Sequence, residues 1–80
     1  MDLQKNRLGK KIAYLRKSKN LNQAELAKII KIGTSTLGMY EIGKREPNIA
    51  MLSRIADYFN VTIDYLLSRP GSGYSNDEIT

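Results

Sequence analysis

The sequence predicts an all-α fold of five short helices, and three observations carry that prediction. Apolar side chains recur at three- and four-residue steps through most of the chain. Six Gly and two Pro among 80 residues are too few to punctuate a sheet. Residues that start and stop helices bracket the apolar stretches. A chain of 80 residues is about half the length of a common domain, which allows one small domain and excludes two.

The first helix is expected from about residue 4 to 18, where Leu8, Ile12 and Leu15 step by four and three, and Lys10, Lys11 and Lys17 take other faces. Asn20 suits a left-handed stop. Asn22 opens the second helix: its side chain can accept from free amides, Glu25 three residues on completes a capping box, and Leu21 is placed as a hydrophobic staple. That helix, residues 23 to 30, turns Leu26, Ala27 and Ile30 inward, and residues 31 to 33 allow only a tight turn.

A third helix over residues 33 to 42 buries Leu37 and the Tyr40 ring and turns Thr34, Ser35, Gly38, Met39 and Ile42 outward. Gly43 caps it, and Lys44, Arg45 and Glu46 form a loop closed by Pro47. Asn48 caps the fourth helix, whose Ile49, Leu52, Ile55, Ala56 and Phe59 keep helical spacing up to a stop at Asn60. Thr62 opens a fifth helix through Leu67. The domain then spans residues 1–67. Residues 68–80, with Pro70, Gly71, Ser72 and Gly73, read as a flexible linker or tail leading toward a C-terminal domain.

Thirteen Lys and Arg against eight Asp and Glu give a net charge of +5 and a pI near 9.6, which favours a polyanionic partner. The excess is concentrated: residues 1 to 20 hold Lys5, Arg7, Lys10, Lys11, Arg16, Lys17 and Lys19 against Asp2 alone. No Cys and no His are present, so thiolate and imidazole catalysis, disulfides and common zinc sites are excluded. Asp57 and Asp64 fall on different helices, and neither a nucleophile-base pair nor a phosphate-cradling glycine loop is visible, so an enzyme is not expected, nor a cofactor or metal. No stretch approaches the roughly 18 apolar residues of a membrane span, and the chain reads as cytoplasmic.

The run Leu21-Asn22-Gln23-Ala24-Glu25-Leu26-Ala27, followed by Ile32, Ser35-Thr36-Leu37, Tyr40-Glu41, Gly43-Lys44-Arg45 and Pro47, carries a resemblance, as does the close from Phe59 to Leu67. From Leu8 to Leu67 the chain resembles the lambda-repressor-like helix-turn-helix family, the Cro/cI or xenobiotic-response-element type of bacterial and phage transcriptional regulators. The resemblance implies a DNA-binding domain whose second and third helices form the helix-turn-helix. It also makes Arg16 and Glu41 candidates for an ion pair linking the first and third helices; the competing reading is a surface pair worth under about 1 kcal/mol. Ala27 is small because two helices crossing steeply through a short turn leave no room for more. One departure is Lys31, which stands where the family places Gly in a left-handed turn and costs about 1 to 2 kcal/mol there.

The family inserts the third helix into the major groove of double-stranded DNA. Thr34, Ser35, Gly38 and Met39 would then face bases. With no Arg, Lys, Asn or Gln between Gly33 and Ile42, readout per base is expected to be weak and to favour thymine methyls. Phosphate contacts fall to Gln23, Gly33, Ile42, Gly43, Lys44 and Arg45, with Lys10, Lys11 and Lys17 adding to the field; a merely solvated loop or lysine is the bland alternative in each case. A domain this small covers one half-site, so a homodimer on a pseudo-palindromic operator is implied, with Tyr58, Ile63, Tyr65 and Leu67 as its contact or, equally, as core packing. A phage, prophage or mobile-element repressor is the favoured reading. An antitoxin or restriction-system controller is the nearest alternative. A protein-interaction module using Ile29, Met39 and Ile42 is the more distant one.

Overall fold

The computed structural model describes residues 5–68, and the linker reading for 68–80 lies outside them except at Ser68. Five helices follow in order: α1 (Lys5–Ser18), α2 (Gln23–Ile30), α3 (Thr34–Ile42), α4 (Ile49–Phe59) and α5 (Ile63–Leu67). No strand occurs among the described residues. α1 lies along α3, α2 joins α3 through the short turn, and α5 bridges α1 and α4.

Four of the five helices end in one device. Asn20, Lys31, Gly43 and Asn60 all take the left-handed conformation, at φ 60°, 63°, 81° and 59°. After α2, the Ile32 amide donates to the Ala27 carbonyl at 2.9 Å and the Lys31 amide to Lys28 at 3.3 Å, so the last turn's carbonyls find donors. The same pair of bonds follows α1, α3 and α4. The residue after the left-handed one is apolar in three cases, and Leu21, Ile32 and Val61 pack onto the core. Each stop thus also sets the direction in which the next helix leaves.

The starts are as local as the stops. Asn22 Oδ1 accepts from the Glu25 amide and the Asn22 amide donates to Glu25 Oε1, both at 2.8 Å, completing the capping box. Asn48 Oδ1 and Thr62 Oγ1 each accept from the amide three residues on, which caps α4 and α5 without a reciprocal bond. Helix α3 begins at Gly33 with no side-chain cap.

Ile12, Leu26, Ile30, Leu37, Ile55 and Leu66 are fully buried and come from all five helices, so one core serves the whole domain. Ala27 is buried too, at the α2–α3 crossing. Ile49 departs from its expected place: it is 69% exposed. As the first residue of α4 it precedes the turn that faces inward, and the core row begins at Leu52. Gly9, in the middle of α1, is where α1 meets α3. A Cβ there would stand 2.3 Å from the Tyr40 carbonyl oxygen and 2.6 Å from that of Glu41. Only a residue without a side chain allows this backbone contact.

Candidate nucleic-acid interface

Helix α3 divides cleanly by burial. Leu37, Tyr40 and Glu41 are buried, whereas Thr34, Ser35, Met39 and Ile42 are exposed and Gly38 is half-exposed in the middle of that outward row. The four expected base-facing residues therefore share one outward face, with the Gln23 amide lying beside Gly38. Its apolar content is real: Met39 and Ile42 are 38% and 60% exposed. Lys44 and Arg45 follow at once, both exposed, in the loop that Gly43 and the buried Pro47 turn back toward α4.

Arg16 and Glu41 form a buried link between α1 and α3. Arg16 Nε and Nη2 donate to Glu41 Oε2 and Oε1 at 2.7 and 3.0 Å, and Nη1 donates to the Leu21 carbonyl at 2.8 Å. The side chains are only 10% and 6% exposed. The hydrogen bond to Glu41 holds the Arg16 guanidinium above its already high pKa. Two parallel bonds to a planar fork fix orientation as well as distance, so this pair sets how the third helix lies against the first.

Gln23 joins the same network: its Nε2 donates to Glu41 Oε1 at 3.0 Å. The tip of α2 is thereby tied to α3. The Asn22–Glu25 capping box already occupies this end of α2, and the Glu25 carboxylate is itself an anion seated there. No side-chain cap of this kind is found at the start of α3.

Lys11 differs from its expected role as part of a diffuse basic field. Its Nζ donates to the Tyr65 carbonyl at 3.1 Å and to the Ser68 carbonyl and hydroxyl at 3.3 and 2.9 Å, and it lies 4.4 Å from the Tyr65 ring centroid. Its charge is spent on the C-terminal carbonyls of α5, a helix too short to hold itself. Burial first, and then the Arg7 charge, push its ammonium below the usual lysine pKa. Lys10 and Lys17 stay exposed. Arg54, which no sequence pattern singled out, closes the end of α2 by donating to the Ile30 carbonyl at 2.9 Å.

The residues expected at a dimer contact lie apart from α3, on α4 and α5. Tyr58, Ile63 and Tyr65 are half-buried against the core, and Leu67 is 48% exposed. Tyr58 stands edge-on to Phe59 at 5.0 Å, with the Lys19 ammonium 5.3 Å from its ring. No helix among the described residues is long and apolar enough to cross a membrane.

Comparison with known proteins agrees with this geometry. The chain is 41% identical over 58 residues to the HTH-type transcriptional activator BcrR of Enterococcus faecalis, covering 72% of this chain and 28% of that protein. It is 32% identical over 71 residues to the SPbeta prophage-derived HTH-type transcriptional regulator YonR of Bacillus subtilis, covering 89% and 66%. The chain thus spans less than two thirds of either relative. The crystal structure of the restriction-modification controller protein C.AhdI from Aeromonas hydrophila shares the fold, with a TM-score of 0.71 at 24% identity over 78% of this chain and 94% of that one. The profile of the helix-turn-helix family matches residues 12–66, which runs from the first core residue of α1 to the last of α5. The chain therefore belongs to the helix-turn-helix family of the Cro/cI, xenobiotic-response-element type, a family of DNA-binding transcription regulators and not of enzymes.

Proposed function

We propose that this domain binds a pseudo-palindromic operator in double-stranded DNA as a homodimer and acts in the cytoplasm as a phage, prophage or mobile-element repressor. The observation that carries the reading is the outward row of Thr34, Ser35, Gly38 and Met39 on α3, flanked by Lys44 and Arg45. A single α-helix fills the major groove, and that row would meet the base edges. Small hydroxyls and a thioether favour close approach and thymine methyls over strong discrimination of G. The Gly33 and Gly43 backbones, Ile42, Lys44 and Arg45 lie along the two groove walls, where neutralising phosphates supplies most of the affinity.

Each copy covers one half-site, and two α3 helices about 34 Å apart would read both. Leu67, with the edges of Tyr58, Ile63 and Tyr65, forms the contact between copies. Similarity to a prophage-derived regulator supports the phage or prophage setting. The test is selection of sites from random duplex DNA at two salt concentrations. An inverted repeat with half-sites about 10 base pairs apart is expected. Failure to bind duplex DNA at low salt would overturn the reading and favour a protein-docking face at Ile29, Met39 and Ile42.

A further inference from the structure

Among the described residues, α5 is the one helix that ends without a left-handed residue. The stops after α1, α2, α3 and α4 turn back on their own backbone, but Ser68, which ends α5, is extended at φ −76° and ψ 161°. Its amide reaches the Tyr65 carbonyl at 3.2 Å, and the rest of the cap comes from α1. The Lys11 ammonium donates to the Tyr65 and Ser68 carbonyls and to Ser68 Oγ, and that hydroxyl donates in turn to the Tyr65 carbonyl at 2.8 Å. An ammonium has three N–H donors, so Lys11 gives its full set to the last turn of α5.

That turn carries two of the four residues assigned to the contact between copies. A helix of five residues does not persist alone. Leu66 is fully buried and anchors its inner side, while Leu67 beside it is 48% exposed. Tyr65 is half-buried, and its ring lies 4.4 Å from the ammonium that its carbonyl binds. The placement of Tyr65 and Leu67 thus depends on one side chain of α1. Helix α1 packs on both α5 and α3 and is tied to α3 by the Arg16–Glu41 pair. It is a strut between the surface that meets a second copy and the helix that meets DNA.

We propose that Lys11 is a positioning residue of the homodimer: by holding the last turn of α5 against α1, it presents Tyr65 and Leu67 to the second copy at a fixed place relative to α3, so that two α3 helices reach both half-sites together. This role rests on the operator-binding homodimer proposed above.

The test compares two duplexes, the operator that wild type selects and the same duplex with one half-site scrambled. The ratio of the two affinities reads the contact between copies, and any effect of charge on each half-site cancels in it. Lys11→Met should lower that ratio about 10-fold: both copies must present α5, so the loss goes as the square of the fraction in place, and about one third in place suffices. Lys11→Arg, which keeps a cation with several donors, should recover most of the ratio. Ser68→Ala removes one acceptor at the edge of the domain, leaves the core untouched and should lower the ratio about 2-fold. An equal loss on both duplexes with Lys11→Met would overturn the proposal and leave Lys11 as a residue that only stabilises the fold. So would a ratio unchanged in both Lys11→Met and Ser68→Ala. A wild-type protein that gains nothing from the second half-site would instead remove the homodimer, and one that binds neither duplex would remove the DNA-binding function itself.

Discussion

Replacing Lys31 by glycine should stabilise the domain, and the size of the gain can be worked out from the turn. Lys31 sits at φ 63° and ψ 51°, where a side chain costs about 1 to 2 kcal/mol. Its side chain is exposed and makes no hydrogen bond, and its amide bonds to Ala27 and Lys28 are backbone bonds that glycine keeps. Against the relief stands the greater freedom of glycine in the unfolded chain, about 0.4 to 1 kcal/mol. At the midpoints of the two ranges the net gain is about 0.8 kcal/mol, which raises Tm by roughly 3 to 6 °C in a domain of this size. Thermal unfolding followed by circular dichroism measures it, with Asn20→Gly and Asn60→Gly alongside. Asparagine tolerates the left-handed region, so these two should gain clearly less although their φ values, 60° and 59°, are nearly the same. An unchanged or lowered Tm for Lys31→Gly, or an equal gain at all three sites, would refute the reasoning.

Gly9→Ala should cost about 3 kcal/mol in urea unfolding, because its Cβ meets the Tyr40 and Glu41 carbonyls and α1 must move off α3. Arg16→Met alone should cost about 3 kcal/mol by leaving Glu41 buried without its cation, and Arg16→Met with Glu41→Leu should recover most of it, as a double-mutant cycle would read. Lys11 releases its proton more readily folded than unfolded, so the added stability that comes from this shift is complete above the unfolded pKa near 10.5 and is lost as pH falls through the lower folded value, while the ammonium's bonds to α5 remain. Wild-type stability should therefore rise relative to Lys11→Met toward pH 10.5, and parallel curves would contradict the assignment. Arg45→Ala should weaken binding evenly across sequences and reduce the salt slope by about one, whereas Thr34→Ala should change preference at one base position; titrations at several salt concentrations and site selection separate the two.

The sequence by itself determined the helices, their limits and the outward face of α3. Those signals act within a few residues: Asn22 meets Glu25, Asn48 meets Met51, and the left-handed stops bond back to the turn before them. Ile49 shows the limit of the pattern, since spacing counts it with the core although its place at the start of α4 leaves it outside. Gly9 lies inside the α1 pattern, and nothing in its spacing marks the close approach of α3.

Only the tertiary structure decided which charges are spent. Lys10 and Lys11 are neighbours of one type, yet Lys11 is consumed 57 residues away at Ser68 while Lys10 stays in solvent. Arg54 is taken by Ile30, 24 residues distant, and Gln23 by Glu41, 18 distant. A long side chain is directed by the acceptors within its reach, and those are set by which helices pack together, a property that local spacing does not contain.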